Sequence, residues 1–377
     1  MKEISLYIHI PFCKQKCFYC DFLSFAGKES LMEEYVEALI REIRERASKY
    51  IIKSIFIGGG TPSYLEVEQI ENMLKEISYL KIKQNAEVTM ECNPGTLTKE
   101  KLKVMKDGGI NRISFGLQSC NDELLKKIGR IHDYKEFLEN YNMAREIGFN
   151  NINIDLMYGL PNQNEEDWKN TLNKICTLNP EHISAYSLII EEGTAFYKMY
   201  ENNKLILPEE DIERKMDSYT EKILEQNGYI KYEISNYAKD NKECEHNKVY
   251  WSLGEYIGVG VAASTYIDGN RVVNIDGIQQ YIDNMKNGIS VIAETHKNSK
   301  EDEVEEYVFM GLRMKRGINI EDFNQKFGVP IESIYKEVIE KNISKDLLRI
   351  SNGYMALTNK GIELSNYVMS DFILDKN

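Results

Sequence analysis

The chain has 377 residues, so a large domain with a smaller one beside it is expected. Its 47 lysine and arginine residues against 60 aspartate and glutamate residues give a net charge of −13, which disfavours nucleic-acid binding and allows at most peripheral contact with a membrane. The N-terminal segment MKEISLYIHI is too polar for a secretion signal, and no apolar run is long enough to span a bilayer, so a cytoplasmic protein is expected.

Short β-rich segments alternate with amphipathic helical patterns over the first 235 residues. The predicted helices include residues 31–50 and 66–80, and the predicted strands cover residues 5–10, 54–57, 87–92, 112–117, 152–156, 183–188 and 229–234. Strands that alternate with helices predict βα units and a parallel sheet. Within residues 87–93, Val88 and Met90 point one way and Glu91 points the other. Because a doubly wound sheet buries both faces, this alternation favours a partial or open α/β barrel with helices outside and a polar lumen.

The pattern changes after residue 235. Residues 236–300 are polar and aromatic without a clear period, and we interpret them as a connecting region. Beyond residue 301 the sequence predicts helices at residues 302–314, 320–327 and 331–341, a hairpin over residues 347–357 that turns at Asn352-Gly353, and a final helix from Lys360. The expected organisation is a barrel over residues 1–235, the connecting region, and a small, mostly helical, winged-helix-like domain over residues 301–377. In an acidic chain this domain is expected to pack or bind protein rather than read DNA.

Three of the seven cysteines stand close together directly after the first predicted strand. Cys13, Cys17 and Cys20 have CxxxCxxC spacing, and three thiolates on one short loop can converge on an iron–sulfur cluster, zinc or copper(I). A structural zinc site needs a fourth ligand, for which Cys244 and His246 are the remote candidates. A four-iron cluster with three protein thiolates instead leaves one iron open for chemistry.

Polar residues and glycines recur where the predicted strands end. Residues 58–62, Gly-Gly-Gly-Thr-Pro, follow the second strand, where glycines let the backbone approach a ligand and offer its N–H groups. The alternative is a tight βα turn. Glu91, Gln118 and Asp155 lie near the C-terminal ends of successive strands, the end at which barrel sites assemble. A lumen-filling structural role is the alternative for each of these side chains.

Two further patterns are interpreted as structural. Cys92, Cys120 and Cys176 lie in or beside apolar segments and are predicted to be small buried hydrophobic residues. The sequence Gly258-Val259-Gly260 lacks the complete GxGxxG of a dinucleotide site, so no such site is expected there.

The cysteine motif after the first strand of a βα barrel resembles the signature of the radical S-adenosylmethionine (radical SAM) superfamily. The resemblance implies the radical SAM type of partial barrel. It implies that Cys13, Cys17 and Cys20 bind a 4Fe-4S cluster, and that S-adenosylmethionine binds the open iron as the source of a 5′-deoxyadenosyl radical. Resemblance to the coproporphyrinogen dehydrogenase branch implies that the residues contacting this cofactor are Tyr7, Gly59, Gly60, Thr61, Glu91, Gln118, Arg130 and Asp155.

The segments YIHIPFC, ECNPGTLT, ISFGLQS and NIDLMYGLP resemble the branch that contains oxygen-independent coproporphyrinogen III dehydrogenases and HemW-type heme chaperones. The dehydrogenases extend the motif to CxxxCxxCxC, whereas this chain has Phe22 at the position of the further cysteine. Its segment HNKVYW, which begins at His246, is similar to the HNxxYW motif of the heme chaperones. The resemblance implies heme as bound cargo, His246 as its ligand, and Tyr250 and Trp251 as cover for a porphyrin face.

Three hypotheses about function follow. The first is a heme chaperone that carries a 4Fe-4S cluster and S-adenosylmethionine, receives electrons from an unnamed donor, and transfers heme to a recipient heme protein. The second is an oxygen-independent coproporphyrinogen III dehydrogenase, which converts its substrate to protoporphyrinogen IX by radical oxidative decarboxylation. The third is a zinc-stabilised interaction protein that acts through its C-terminal domain.

Overall fold

A computed structural model describes residues 1–374, and twelve strands form its main sheet. These strands are β1 (Glu3–Ile10), β2 (Ile51–Gly59), β3 (Lys81–Cys92), β4 (Arg112–Gln118), β5 (Ile152–Tyr158), β6 (His182–Ser187), β7 (Ile230–Lys231), β8 (Asn236–Ala238), β9 (Tyr256–Val259), β10 (Ser264–Ile267), β11 (Asn270–Asn274) and β12 (Ile292–Lys297). Their order across the sheet is β12-β11-β10-β9-β1-β2-β3-β4-β5-β6-β8-β7. Since β12 and β7 are the two edges, the sheet is an open barrel, as the sequence predicts.

Strands β9 and β1 to β6 are parallel to their neighbours within this run, and helices cover the outside of the sheet. The helices up to residue 287 are α1 (Met32–Ala47), α2 (Val67–Ser78), α3 (Lys99–Asp107), α4 (Asp122–Lys127), α5 (Tyr134–Ile147), α6 (Glu165–Leu178), α7 (Ala195–Glu201), α8 (Glu210–Gln226), α9 (Glu245–Trp251) and α10 (Ile278–Asn287). The apolar face of the strands, such as Ile113 and Phe115 of β4, packs in one core with α1, α2, α3, α5, α6, α8 and α10, whereas α4 and α7 belong to a separate small cluster. The other face carries polar residues such as Ser114, so the predicted alternation is confirmed.

One predicted strand is wrong in extent and direction. Of residues 229–234 only Ile230–Lys231 forms a strand, β7, which pairs antiparallel with β8. Tyr229 donates its hydroxyl to the Pro180 carbonyl at 2.7 Å, and the Tyr232 hydroxyl lies 2.9 Å from His182 Nε2. Because these two side chains anchor the segment beside β6, the chain turns there instead of forming a further parallel strand.

Residues 236–300, which lack a clear period in the sequence, extend the same sheet. They contribute β8 to β12 together with α9 and α10. Strand β9 pairs parallel with β1, whereas β10, β11 and β12 pair antiparallel in succession. Strands β9 to β12 are only four to six residues long, and β12 is exposed throughout. These short strands therefore carry little of the apolar alternation that reveals the longer ones.

A buried polar group joins this extension to the first helix. Glu42 of α1 accepts hydrogen bonds from Gly260 N at 2.7 Å, Asn274 Nδ2 at 2.8 Å and the Tyr281 hydroxyl at 2.6 Å. Gly260 has φ +100, and a Cβ there would lie 2.7 Å from the His9 carbonyl oxygen. The second glycine of the Gly-Val-Gly sequence therefore serves close packing between β1, α1 and β9.

The C-terminal residues form a second hydrophobic core with a small sheet of their own, in the order β13-β15-β14. Its elements are α11 (Lys300–Gly311), β13 (Ile318–Asn319), α12 (Ile320–Phe327), α13 (Ile331–Ser344), β14 (Leu348–Ser351), β15 (Tyr354–Leu357), α14 (Asn359–Glu363) and α15 (Ser365–Ser370). Asn352 and Gly353 make the predicted turn, with φ of 52° and 78°. The predicted hairpin is confirmed, and residues 375–377 of the predicted domain lie outside the described residues. None of the helices described here is long and apolar enough to cross a membrane.

Candidate functional site

The cysteine loop, residues 11–25, follows β1 and is closed by backbone hydrogen bonds. Phe25 N donates to the Pro11 carbonyl at 2.7 Å, and Cys13 N donates to the Phe25 carbonyl at 3.0 Å. The same contact forms a parallel β-bridge between Phe12 and Phe25. These bonds hold the ends of the loop together without using a cysteine side chain.

The three thiols share one electrostatic environment. Burial raises the pKa of Cys20 to about 11, with smaller increases from Cys17 and Cys13, and burial also raises the pKa of Cys13. Cys13 Sγ accepts a hydrogen bond from Thr61 Oγ1 at 3.4 Å, and Cys17 Sγ accepts one from Arg130 Nη1 at 3.4 Å. Within residues 1–374, no three His, Cys, Asp or Glu side chains are already arranged as a metal site. The thiols nevertheless suit a soft metal centre, because two of them receive donors that stabilise a thiolate.

Side-chain hydrogen bonds connect two of these cysteines to each other. Asn93 Nδ2 donates to Thr61 Oγ1 at 2.8 Å, and Asn93 Oδ1 accepts from Arg130 Nη2 at 2.5 Å. Since Thr61 donates to Cys13 and Arg130 donates to Cys17, the five side chains form one continuous path.

The glycine turn after β2 is packed too closely for a side chain. Gly59 has φ +110, and a Cβ there would lie 2.5 Å from the His9 ring; at Gly60 it would lie 2.8 Å from a backbone oxygen of the cysteine loop. Gly59 N donates to Glu91 Oε2 at 3.0 Å, and Gly60 N donates to the Ile10 carbonyl at 2.8 Å. The expectation that this turn offers free N–H groups is therefore wrong for these two glycines, because protein oxygens accept both. Their contact with a cofactor stays a prediction.

Two carboxyl groups of the lumen have raised pKa values, and the charge of Asp155 disfavours the charge of Glu91. Burial first, and the charge of Asp155 second, raise the pKa of Glu91 to about 8. Burial also raises the pKa of Asp155, although Ser114 Oγ and Asn153 Nδ2 donate to it at 3.2 Å and 2.7 Å. Near neutral pH Glu91 is therefore largely protonated, so its carboxyl group can donate a hydrogen bond as well as accept one.

Two further predicted cofactor residues lie on the strands around this pair. Gln118 ends β4 with φ +73, and its Oε1 accepts from the Tyr186 hydroxyl at 3.2 Å. A left-handed backbone in a residue other than glycine costs on the order of 1 kcal/mol and is found preferentially at functional sites. The Tyr7 hydroxyl lies 3.0 Å from His9 Nδ1, and His9 Nε2 lies 2.9 Å from the Leu23 carbonyl. Tyr7 is thus linked through one imidazole to the cysteine loop.

His246 is fully buried, and both of its ring nitrogens have partners. Nδ1 lies 3.0 Å from Ser54 Oγ, and Nε2 lies 2.9 Å from the Tyr250 hydroxyl. The ring centroid lies 5.4 Å from that of Phe56. Burial, and next the charge of Lys53, lower the pKa of His246 to about 3, so its imidazole is neutral. In this conformation neither nitrogen is open to a ligand.

Helix α9, which carries the HNxxYW segment, begins on a buried carboxylate. Glu87 accepts from the backbone N–H groups of Glu245 at 3.3 Å and His246 at 3.2 Å. Arg112 Nε lies 3.9 Å from Glu87 Oε2, and the two side chains are 2% and 7% exposed. A carboxylate suits a helix N-terminus because it accepts from N–H groups that have no partner within the helix. His246 thus lies beside the N-terminal parts of the strands, whereas the cysteines follow the C-terminal end of β1.

Comparisons with known proteins identify the family. The Radical SAM superfamily model matches residues 7–175, and the HemN C-terminal domain model matches residues 298–364. The heme chaperone HemW of Bacillus subtilis (strain 168) is 39% identical over 374 residues, which cover 98% of this chain and 99% of that protein. This chain belongs to the HemW heme chaperone family. The HemW of Escherichia coli (strain K12) is 40% identical over 277 residues, 71% of this chain and 72% of that protein.

The fold of this HemW-family chain is similar to a solved structure. Coproporphyrinogen III oxidase (HemN) of Escherichia coli, described as a radical SAM enzyme, matches with a TM-score of 0.86 at 24% identity. The match covers 99% of this chain and 90% of that chain. At this identity the likeness concerns the fold, and it confirms the predicted radical SAM barrel with a C-terminal domain.

Most of the predicted cofactor residues of the HemW-family chain are connected by contacts at one end of the barrel. Thr61 and Arg130 reach the cysteines, and Gly59 reaches Glu91. His246 is separate from this group, but Phe56 lies between it and Tyr7, with ring centroids 5.4 Å and 6.4 Å away. Phe22, in the cysteine loop, is 62% exposed.

Two residues of this site were not singled out from the sequence. Asn93 follows Glu91 by two positions and His9 follows Tyr7 by two, so strand alternation places each on the lumen side. That alternation was the available signal. It could not identify their partners, because Arg130 and Leu23 come from distant or irregular parts of the chain.

Proposed function

We propose that this protein binds heme and transfers it to a recipient heme protein, and that it carries a 4Fe-4S cluster and S-adenosylmethionine. The observation that carries the proposal is its similarity to the Bacillus subtilis heme chaperone over nearly the whole length of both chains. That similarity spans the cysteine loop, the HNxxYW segment and the C-terminal domain together. The recipient is proposed only as a class, a protein that functions with heme.

The proposed cluster ligands are Cys13, Cys17 and Cys20. Cluster assembly requires thiolates, and burial alone would keep Cys13 and Cys20 protonated. Positive metal ions reverse that preference, and the donors Thr61 and Arg130 stabilise the resulting charge on sulfur.

The open iron and the lumen would hold S-adenosylmethionine, which supplies a 5′-deoxyadenosyl group as a radical source when it is bound. The protein's part is to bind and orient. Glu91, protonated near neutral pH, can donate to an acceptor on the cofactor while its other oxygen keeps the Gly59 bond. The proposed contact residues are Tyr7, Gly59, Gly60, Thr61, Glu91, Gln118, Arg130 and Asp155.

We propose His246 as a heme ligand in a conformation that differs from the buried one. A neutral imidazole has the lone pair that heme iron needs, and the low pKa of His246 keeps the ring neutral. Ligation requires that one nitrogen leave Ser54 or Tyr250. Heme binding at this site is therefore expected to displace part of α9 from the lumen.

The experiment compares His246→Ala with His182→Ala in a heme titration under anaerobic, reducing conditions. His182 is the matched control, because it is also fully buried and its nitrogens lie 2.6 Å from Asn153 Oδ1 and 2.9 Å from the Tyr232 hydroxyl. We expect His246→Ala to weaken heme binding and shift the Soret band, while His182→Ala keeps the wild-type band. Wild-type affinity and spectrum in His246→Ala would exclude it as a principal ligand.

A further inference from the structure

We propose that Asn93 is a positioning residue for the cluster ligands. It holds Thr61 and Arg130 in place as hydrogen-bond donors to the sulfur atoms of Cys13 and Cys17. The inference rests on the proposed cluster site and adds a residue that acts on it from outside the ligand set.

Both ends of the Asn93 amide are used. Its Nδ2 donates to Thr61 Oγ1 at 2.8 Å, and because that oxygen then accepts, the hydroxyl proton is available to Cys13 Sγ at 3.4 Å. Its Oδ1 accepts from Arg130 Nη2 at 2.5 Å, while Nη1 of the same guanidinium donates to Cys17 Sγ at 3.4 Å. A primary amide can donate to a hydroxyl and accept from a guanidinium at the same time, which a carboxylate cannot.

The backbone around Asn93 is fixed by its neighbours. Asn93 N donates to Ser63 Oγ at 3.1 Å, and the Asn93 carbonyl accepts from Thr96 N at 3.2 Å and Thr96 Oγ1 at 2.7 Å. Lys101 Nζ, on a buried side chain, donates to the Ser63 and Thr96 carbonyls at 3.0 Å and 3.2 Å. The backbone that carries the Asn93 side chain is therefore fixed by hydrogen bonds within the protein.

This arrangement has a physical consequence for a cluster. Reduction adds negative charge to the cluster, and hydrogen-bond donors to the ligating sulfurs stabilise that charge and raise the reduction potential. Loss of an outer-shell partner of a metal ligand also typically lowers metal affinity about 10- to 100-fold. Loss of Asn93 should therefore lower the midpoint potential and speed the release of iron.

The test uses full-length protein reconstituted anaerobically. Asn93→Leu removes both amide contacts with a side chain of the same branched shape, and Thr61→Val removes the donor to Cys13 together with the acceptor for Asn93 Nδ2. The matched control is Asn111→Leu, whose amide bonds two backbone groups of β3 at 2.9 Å and 2.8 Å, away from the cysteine loop. The readouts are the midpoint potential, from a mediated redox titration followed by electron paramagnetic resonance, and the rate of iron release to a chelator.

We expect Asn93→Leu to have a lower midpoint potential and about tenfold faster iron release, and Asn111→Leu to match the wild type in both. The double variant with Thr61→Val should shift the potential by less than the sum of the single shifts, because the two side chains act along one path. Wild-type potential and wild-type iron release in Asn93→Leu would overturn the proposal.

A second Asn93 variant and a metal analysis of the wild type cover the case in which Asn93→Leu does not assemble a cluster. If Asn93→Leu takes up no iron, Asn93→Asp is measured in the same way. It keeps the acceptor for Arg130, loses the donor to Thr61 and adds a negative charge, and each of the last two changes is expected to lower the potential. An unchanged potential in Asn93→Asp overturns the proposal. If neither Asn93 variant holds iron, the result supports the proposal when Asn111→Leu takes up iron normally and all the metal-free proteins unfold at the same temperature. If Asn111→Leu also takes up no iron, the result counts against the proposal. If the wild-type protein contains zinc but neither iron nor sulfide, the proposed 4Fe-4S cluster is contradicted.

Discussion

Glu91 is a lumen carboxyl group whose surroundings disfavour its charge. Its pKa is about 8 in the folded protein against 4.5 for an ordinary glutamate, first because of burial and next because of Asp155. The folded state therefore holds a proton that the unfolded chain has released between these two pH values. The contribution of this proton to the free energy of unfolding is fully present below 4.5, the pKa of Glu91 in the unfolded chain. It is lost as the pH rises from there through about 8, the pKa of Glu91 in the folded protein.

Glu91→Gln tests this directly, because the amide oxygen keeps the acceptor for Gly59 N and the side chain no longer titrates. Relative to the variant, we expect wild-type protein to lose about 1.4 kcal/mol of the free energy of unfolding per pH unit within that window. Urea denaturation of the metal-free proteins at a series of pH values measures it. If the free energies of unfolding of the two proteins changed with pH in parallel, the raised pKa of Glu91 would be contradicted. The control is Glu123→Gln, at an exposed position, whose free energy of unfolding should depend on pH as that of the wild type does.

Residue by residue, strand alternation predicted which side chains face the lumen, and that part of the site could be read from the sequence. The alternation of β3 placed Glu91 on the polar face, where the structure has it beside Asp155. The hydrogen-bond partners could not be predicted in the same way. Ser54 and His246 meet across 192 positions of the chain, so the contact of His246 Nδ1 depends on the complete fold, whereas Tyr250, the partner of Nε2, lies four residues further along α9.

At the scale of elements, α9 and the strands beneath it share one buried charge pair. Glu87 accepts from two N–H groups at the start of α9 and lies 3.9 Å from Arg112. Removal of one partner from a buried ion pair leaves the other charge without compensation, which is far more costly than the loss of an exposed pair.

Glu87→Ala is therefore expected to lower the free energy of unfolding by about 3 kcal/mol, measured by urea denaturation of the metal-free protein. Glu123→Ala is the control. Its partner Lys126 is 2.8 Å away, but both side chains are more than 70% exposed, so no measurable change is expected. Equal stability of the two variants would show that the Glu87 contact does not hold α9 in place.

Element prediction succeeded where strands or helices were long and periodic. The helix over residues 320–327 coincides with α12, and the hairpin over residues 347–357 contains β14 and β15. It failed for residues 229–234, where tertiary anchors of Tyr229 and Tyr232 override the local β preference. Strands β9 to β12 were missed because they form through hydrogen bonds to neighbouring strands, and their short sequences have no clear apolar alternation.

For the whole molecule, the sheet topology agrees with the expectation of an open barrel, and the C-terminal elements attach to it through charged contacts. Arg271 of β11 donates two hydrogen bonds to Glu306 of α11, at 2.7 Å and 2.6 Å. Lys315 donates to Glu221 of α8 at 3.0 Å. The sequence predicted both parts, but it carried no signal for how the HNxxYW segment packs into the lumen between them, because that packing depends on pairs far apart in the chain.

The most direct test of the heme-transfer role uses one anaerobically reconstituted sample of the full chain, given in turn heme and then coproporphyrinogen III together with S-adenosylmethionine and a low-potential reductant. The measurement compares the heme retained after gel filtration with the protoporphyrinogen IX formed. A heme-transfer role predicts stoichiometric retention of heme and no protoporphyrinogen IX, in keeping with Phe22 at the position of the dehydrogenases' further cysteine. Formation of protoporphyrinogen IX by a sample that retains no heme would contradict it.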